Sequence, residues 1–253
     1  MCLKYIIDLP IDSPERTILH GKFIKSKRIL SYLYKSWYKE FLDTREQLPD
    51  GLWVELGSGG GFLKELEPKV LATDIIELAS NDLTFSALEM PFNDNSVSCI
   101  FMTDTMHHIP DSAKFLEEVE RVLKNDGQLI MIEPANTKWG RFIYQHFHHE
   151  PINPKGSWTI PISGPMSGAN AALPWIVFVR DNQDFSERFP SLKITKLGYQ
   201  NPILYLFSGG VSYKQLAPNL LIWPIWFIDW VLPKIWKEIS MFMVVHVTKT
   251  DQS

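Results

Sequence analysis

The fold is decided by the stretch Trp53-Val-Glu-Leu-Gly-Ser-Gly-Gly-Gly-Phe-Leu-Lys-Glu-Leu66, in which an apolar strand runs into a glycine turn and then into an amphipathic helix. Gly57, Gly59 and Gly61 allow positive backbone φ angles and a close approach of the main chain to a ligand. The unpaired N–H groups that open the helix face the same place. A pyridine-dinucleotide fingerprint is disfavoured, because its third glycine would fall at Phe62. The stretch therefore predicts a nucleotide-type site of another kind.

Strands and helices alternate after this turn, as a parallel sheet requires. Strands are predicted at 69–74, 83–88, 97–103, 128–133 and 241–247, with a helix over 111–124. The interval from Asp74 to Ser86 is too short for a full crossover helix and a strand, so a shortened connection is expected. Gly127 is expected to take the left-handed conformation that ends the helix. Asp74 ends the second strand, where a carboxylate suits the two hydroxyls of a ribose.

Composition is consistent with an intracellular enzyme. The chain has 253 residues and a net charge of −4, which permit one domain with a sizeable core and argue against a general nucleic-acid surface. Cys2 and Cys99 cannot form a disulfide framework, so reduced thiols are expected. Residues 1–15 lack the uninterrupted apolar core of a signal peptide. A cytoplasmic location is predicted, and association with a membrane stays open.

Residues 53–134 resemble the class I S-adenosylmethionine (SAM) methyltransferases that act on small molecules, a group that includes the quinone C-methyltransferases. Five pieces carry the resemblance in order: Glu55-Leu-Gly-Ser-Gly-Gly-Gly61, Thr73-Asp74, Ala87-Leu-Glu-Met-Pro-Phe92, Asp104-Thr-Met-His-His-Ile109 and Phe115-Leu-Glu-Glu-Val-Glu-Arg-Val-Leu-Lys-Asn-Asp-Gly127. The resemblance implies SAM as the cofactor and an α/β, Rossmann-like sheet of seven mostly parallel strands, with the seventh antiparallel. The whole chain also resembles unassigned bacterial methyltransferases of surface-polysaccharide gene regions.

The same resemblance implies roles for individual residues. It implies that Glu55, Gly57, Ser58 and Gly59 line the methionine part of SAM, that Asp74 and Ile75 hold the ribose, that Ser86 and Ala87 border the adenine, and that Asp104 and Thr105 lie beside the sulfonium. Ser86 stands where the family often has an aspartate that accepts from the adenine amino group. That contact is therefore expected from backbone groups at Ala87 or from Asp82.

The reaction expected is methyl transfer to an oxygen, less readily to a carbon or nitrogen, of a small or lipid-linked acceptor such as a glycan. An oxygen acceptor must lose a proton, and the candidates for the base are His107, His108, Asp104 and Glu133, each predicted at or just after the carboxyl end of a strand. Either histidine could instead pack or cap the next helix. The alternative function is an inactive SAM-binding module of a biosynthetic complex.

The segment His146-Phe-His-His-Glu150 predicts no metal site. It lacks both the two-histidine zinc pattern of a helix and a cysteine partner. A polar surface cluster is the preferred interpretation, and a role in substrate binding or as a base is the other.

Residues 1–253 are predicted to form one domain, made of N-terminal cap helices (1–48), a SAM-binding core (49–134), an aromatic-rich substrate-side insertion (135–182) and a C-terminal part with a lid-like segment (183–253). Basic residues from Arg16 to Lys39, with apolar residues at helical spacing, predict a basic amphipathic helix that docks on the sheet, covers an anionic substrate or lies on a membrane.

The tryptophan-rich stretch Leu220–Leu232 is too short to span a bilayer. A helix that covers the sheet is preferred there over a lid or an interfacial helix. The predicted partners are therefore a small-molecule or lipid-linked substrate and a peripheral membrane contact through one of these two segments, without nucleic acid.

Overall fold

A seven-stranded mixed sheet organises the protein in the computed structural model, which describes residues 8–251; Cys2 lies outside them. The strands are β1 (Leu52–Leu56), β2 (Val70–Asp74), β3 (Leu83–Thr84), β4 (Val97–Thr103), β5 (Leu123–Pro134), β6 (Leu192–Gln200) and β7 (Phe242–Lys249). Their order is β3-β2-β1-β4-β5-β7-β6, and β7 alone runs antiparallel to the other six strands. The predicted α/β fold, with an antiparallel seventh strand, is confirmed.

Helices cover both faces of the sheet. They are α1 (Pro14–Ser26), α2 (Arg28–Leu42), α3 (Leu63–Leu66), α4 (Ser112–Val122), α5 (Lys138–Phe147), α6 (Leu173–Trp175, continued by a π-helical stretch at Ile176–Arg180), α7 (Asn182–Arg188), α8 (Leu204–Ser208) and α9 (Ile222–Ile235). Side chains of α4, α6 and α7 share one core with the strands. Those of α2, α5, α8 and α9 share the other. The double layer buries both faces, as parallel strands require.

The predicted cap helix is confirmed, as two helices that break at Lys27. Lys27 has extended backbone angles, and its buried ammonium donates to the carbonyls of Gly210 and Tyr213. The apolar face of α2 packs on the sheet, where Trp37 contacts Phe242 with ring centroids 4.8 Å apart. Burial of such a large side chain contributes about 1.5–3 kcal/mol. This face is therefore committed to the core and cannot also insert into a membrane.

Four local predictions differ from the structure. The helix predicted over 111–124 ends at Val122, and the strand predicted at 128–133 begins at Leu123. The helix after the glycine turn is a single turn, α3, which ends before Glu67-Pro68 because a proline cannot continue a helix. The third strand has two residues rather than six, since the chain turns at Ser86, whose hydroxyl accepts from the N–H of Leu88 at 3.2 Å. The left-handed residue after α4 is Asp126 (φ 62°), not Gly127. Gly127 instead allows the backbone to pass close to the Lys124 carbonyl oxygen, which would lie 2.8 Å from a Cβ at this position.

The tryptophan-rich stretch covers the sheet only in part. On α9, Ile222, Ile225 and Asp229 are buried, while Trp223 is 67% and Trp230 is 52% exposed. The Asp229 carboxylate anchors the helix by accepting from the N–H groups that start α8, at 2.8 and 3.1 Å, and from a side-chain amide before it. An unpaired aromatic face therefore stays in solvent. Among residues 8–251, no helix combines the length and the apolar character that crossing a bilayer demands.

Candidate active site

A cavity of about 430 Å³ opens at the carboxyl ends of β1, β2 and β4. It lies where the strand order reverses between β1 and β4, which is where open α/β sheets bind ligands. The turn after β1 and the loops after β2 and β4 form its base, and α1, α2, α8 and the loop 161–168 close over them. The predicted position of part of the insertion over a pocket is therefore confirmed for residues 161–168.

The glycine turn shapes the base of the cavity. Gly57 and Gly59 have φ angles of 66° and 46°, which favour glycine. A Cβ at Gly57 would lie 2.4 Å from a methyl carbon of Thr105, so this glycine lets the loops after β1 and β4 meet. Gly61 lacks a positive φ angle but leaves room for Tyr38, whose hydroxyl oxygen would lie 2.6 Å from an added Cβ.

Asp74 stands at one end of the cavity, together with Ile75, Ser86 and Ala87. Its two carboxylate oxygens accept from the backbone N–H groups of Gly59 at 2.9 Å and Ile76 at 2.8 Å. Burial raises the pKa of Asp74, and these N–H groups oppose the rise.

Asp82 does not reach this end of the cavity. It accepts from the N–H of Ala72 at 2.8 Å, pairs with Lys64 and lies outside the residues that line the cavity. The expectation that Asp82 could contact an adenine is therefore wrong. The remaining polar groups at this end belong to Ser86 and to the backbone beside it.

Two acidic side chains, Glu55 and Asp104, line the cavity and form no ion pair within 4 Å among the described residues. Burial raises the pKa of Glu55 to about 8, and the charge of Asp74 adds to the effect. Burial likewise raises the pKa of Asp104 to about 7, although the charge of His107 opposes the rise. The Oδ1 atom of Asp104 is buried without a hydrogen-bond partner in the described part of the chain. Carboxylates left in this state suit a ligand that brings positive charge.

The opposite end of the cavity carries a group of histidines and a glutamate. The Nδ1 atom of His108 donates to the Gly168 carbonyl at 2.8 Å, which leaves Nε2 pointing at Glu150, 3.5 Å away. The Nε2 atom of His107 lies 3.3 Å from Glu150, and Nδ1 of His148 lies 3.5 Å from it. Although burial opposes it, the two carboxylates Glu133 and Glu150 raise the pKa of His107 well above its usual value.

Glu133 lies beneath the cavity rather than in its wall. One oxygen accepts from the N–H groups of Thr105 and Met106, at 2.8 and 2.7 Å, and the other lies 2.8 Å from Nδ1 of His107. The side chain is fully buried and does not line the cavity. This geometry gives no support to the prediction that Glu133 is a base that acts directly on a substrate. Glu133 instead fixes the loop after β4 and the ring of His107.

The segment after α5 is only partly a surface cluster. His146 is exposed on α5, as expected, but His148, His149 and Glu150 line the cavity. Sequence spacing misled here, because the helix ends at Phe147 and the chain then turns so that His148 and Glu150 are largely covered while His149 stays exposed at the rim.

Residues outside the predicted set also line the cavity. Four tyrosines stand in its wall, and they are Tyr34, Tyr38, Tyr144 and Tyr205. Gly21, within α1, packs directly against Gly60 of the glycine turn. A Cβ added to Gly60 would lie 2.4 Å from the backbone nitrogen of Gly21. A glycine inside a helix costs about 1 kcal/mol relative to alanine, so Gly21 was a readable signal of close packing. Tyr34 and Tyr38 gave no such signal, since they share the spacing of core residues on α2.

Comparison with known proteins identifies the domain. Residues 54–131 match the family model described as a methyltransferase domain. The demethylmenaquinone methyltransferase of Symbiobacterium thermophilum is 30% identical over 102 residues, which are 40% of each chain. The chain spans about half the length of the curated relatives it matches, with 40%, 54% and 58% for three of them.

Solved structures share the fold at low identity. A SAM-dependent methyltransferase from Thermotoga maritima superposes with a TM-score of 0.51 at 16% identity, covering 92% of this chain and 99% of its own. Geranyl diphosphate C-methyltransferase from Streptomyces coelicolor, solved with Mg²⁺, geranyl diphosphate and S-adenosyl-L-homocysteine (SAH), has a TM-score of 0.51 at 12% identity, covering 98% and 92%.

Residues 54–131 therefore match a methyltransferase domain, and the sheet around them has the fold of the class I methyltransferases. The fold expected from the sequence is confirmed, and the expected methyltransferase domain is confirmed for residues 54–131.

Proposed function

We propose that this protein transfers the methyl group of SAM to an oxygen of a small or lipid-linked acceptor. One observation carries the proposal. A single cavity is lined at one end by the glycine turn and Asp74, and at the other by His107, His108 and Glu150. A cofactor and an acceptor can therefore meet inside one enclosed space, with Asp104 and Thr105 between them.

The residues at the cofactor end fit SAM. When bound, SAM supplies a methyl group already activated by its sulfonium. Asp74 would accept from the ribose hydroxyls, and the backbone at Ser86 and Ala87 would border the adenine. Glu55 and the unpartnered Oδ1 of Asp104 would compensate the positive charges of the ligand.

At the acceptor end the chain holds a hydroxyl and removes its proton. The Nδ1–H of His108 is committed to the Gly168 carbonyl, so its Nε2 offers a lone pair to the cavity. As the new oxygen–methyl bond forms and the sulfur–methyl bond breaks, the hydroxyl proton passes to this Nε2 atom. Neutral ether and SAH are the products, and alignment of the two ligands supplies most of the rate enhancement.

The wall between these ends favours a partly apolar acceptor. Ile24, Leu30, Ile162 and Val211 line the cavity together with the four tyrosines. Such a wall suits the lipid part of a lipid-linked glycan. The matched relatives are named demethylmenaquinone methyltransferases, so a prenylated quinone whose ring carbon accepts the methyl group is the second candidate.

We also infer that the protein works at an anionic membrane surface through α9. Its exposed tryptophans, with Trp236 beyond its end, form an aromatic face, and Lys234 lies over the ring of Trp230 at 3.1 Å. Trp223 contacts Tyr32 on α2, whose outer side exposes Arg28. Aromatic side chains flanked by cations suit the interface of anionic lipids.

We treat the predicted domain as one working unit. The N-terminal helices (1–48) and the insertion (135–182) both contribute walls to the cavity based on the core (49–134), and α8, in the C-terminal part (183–253), adds Tyr205. Asp12 links the first two parts, since one of its oxygens accepts from the N–H groups of Met166 and Ser167 at 2.7 and 2.9 Å.

The test is release of SAH in the presence of acceptor. Purified protein is incubated with SAM and a panel of lipid-linked glycans, soluble glycans and prenylated quinones. Acceptor-dependent release that His108→Ala lowers at least tenfold, and His146→Ala leaves unchanged, supports the proposal. His146 is the control because it is exposed on α5. SAM binding without turnover on any of the three acceptor classes would point to an inactive SAM-binding module.

A further inference from the structure

We propose that His107, His108 and Glu150 bind a divalent transition-metal ion of the zinc type, which holds the oxygen of the acceptor. The inference deepens the proposed function and rests on it for the role of the ion in catalysis. Nε2 of each histidine and a carboxylate oxygen of Glu150 all lie within 4.8 Å of one another. Two imidazoles and a carboxylate are a ligand set that suits zinc, iron and related ions better than magnesium.

The distances allow the two histidines and Glu150 to share one ion. Oε2 of Glu150 lies 3.3 Å from Nε2 of His107, and the other oxygen, Oε1, lies 3.5 Å from Nε2 of His108. Ligand atoms that each stand about 2.0–2.1 Å from a tetrahedral ion are separated by about 3.4 Å. These separations are also at the long end of hydrogen bonding, so the present arrangement needs little movement to accept an ion.

Both histidines are held in the orientation that metal ligands require. Nδ1 of His107 bonds to the carboxylate of Glu133 at 2.8 Å, and Nδ1 of His108 donates to the Gly168 carbonyl at 2.8 Å. In each case Nε2 is left to point at Glu150. A histidine that binds a metal through one nitrogen almost always donates from the other to a carboxylate or a backbone carbonyl. The Glu133–His107 pair in particular has the form of a carboxylate–histidine–metal triad.

The fourth position of such an ion faces the cavity. Three protein ligands and one open position are the arrangement of catalytic zinc sites, whereas structural sites have four protein ligands. An acceptor hydroxyl bound there would lose its proton to water, because coordination lowers the pKa of a bound hydroxyl. The resulting metal-bound oxygen takes the methyl group, and the ether and SAH are released. In this form of the site the ion replaces Nε2 of His108 as the group that removes the proton.

The alternative to a metal ion between His107 and Glu150 is a proton: a protonated His107 would be shared by Glu133 and Glu150. The competing ligand sets are His148 and His149 with Glu150, and His107 with Asp104 and Glu133. The shared proton predicts no stoichiometric metal binding by the wild type, and another ligand set predicts binding that is retained in His108→Ala.

The experiment is titration of Zn²⁺ and Co²⁺ into the untagged full chain after removal of metals by a chelator. We expect one equivalent to bind with micromolar affinity or better, with the visible absorption of tetrahedral Co²⁺. Glu150→Gln and His108→Ala should each weaken binding at least tenfold, and His146→Ala should not change it. Affinity for SAH and thermal unfolding, measured on the same metal-free samples, show whether each variant is folded.

Absence of stoichiometric binding in the wild type would overturn the proposal in favour of the shared proton. Loss of binding in His149→Ala with retention in His108→Ala would overturn the ligand set. Failure of the metal proposal is separable from failure of the methyltransferase proposal, because SAH binds at the opposite end of the cavity. Metal-free protein that binds SAM and releases SAH with acceptor would refute only the metal, whereas protein that binds Zn²⁺ but not SAM would refute only the cofactor site.

Discussion

Replacement of Asp74 by alanine is expected to weaken binding of SAM and SAH about a hundredfold. Each oxygen of Asp74 already accepts one backbone N–H, at 2.9 and 2.8 Å, and keeps lone-pair directions for one ribose hydroxyl. A hydrogen bond to a charged group contributes about 1.5–3 kcal/mol, so the low estimate for two such bonds is about 3 kcal/mol. At about 1.4 kcal/mol for each factor of ten, this is roughly a hundredfold.

Isothermal titration calorimetry with SAH measures the effect. Asp74→Asn keeps one acceptor oxygen and should lose about tenfold. Asp82→Asn is the matched control, because Asp82 also accepts a backbone N–H of this region yet lies outside the cavity. Its affinity should equal that of the wild type.

An SAH analogue that lacks one ribose hydroxyl separates direct contact from disturbance of the turn. The wild type should bind this analogue about tenfold more weakly than SAH, and Asp74→Ala should bind the two equally. The reasoning is refuted if Asp74→Ala stays within threefold of the wild type. Equal losses in Asp74→Ala and Asp82→Asn would also refute it, since they would mean that the carboxylate acts through the fold.

Three further outcomes are expected. Gly60→Ala should lower the free energy of unfolding in urea by about 1–3 kcal/mol, because the added Cβ would press on backbone atoms of α1. Gly198→Ala is the control and should cost less than about 1 kcal/mol, since the nearest atom to its added Cβ is 3.8 Å away. Burial raises the pKa of Asp229 from 3.8 to about 6. The folded chain therefore binds the extra proton between these values, and the free energy of unfolding should fall by about 2 kcal/mol as the pH rises from about 4 to about 6. Asp229→Asn should lack this slope, and an unchanged slope would contradict the assignment. Sedimentation of the protein with anionic vesicles should weaken with added salt and in Trp230→Ser. Leu83→Ser, at the opposite edge of the sheet, should sediment like the wild type. Equal sedimentation of the two variants would rule out α9 as the membrane contact.

Local signals predicted the core of the domain well. The fourth strand has the predicted bounds of 97–103, because a run of buried apolar residues ends at a polar turn. Gly57, Gly59 and Asp74 meet at one end of the cavity as expected, since the carboxyl ends of neighbouring parallel strands meet at one edge. Short edge elements were predicted less well. For β3, pairing with a single neighbour over two residues leaves little pattern in the sequence.

The two amphipathic segments show where sequence pattern is ambiguous. The apolar faces of α2 and of α9 both allowed a core or a surface role. In the structure the face of α2 is buried, while most of α9 is exposed. Hydrophobic periodicity reports that a face seeks an apolar partner, but the partner is chosen by packing of the whole chain.

By itself the sequence determined the class of domain and the place of the glycine turn, because these depend on contacts between residues close together in the chain. Only the tertiary structure decided the composition of the acceptor end. There a segment that follows α5 brings Glu150 to the two histidines that follow β4, and the loop of the insertion supplies the Gly168 carbonyl that orients one of them. Spacing along a single helix could not predict this group, since Glu150 lies more than 40 residues after the two histidines and meets them only when the sheet and the helices that cover it have packed.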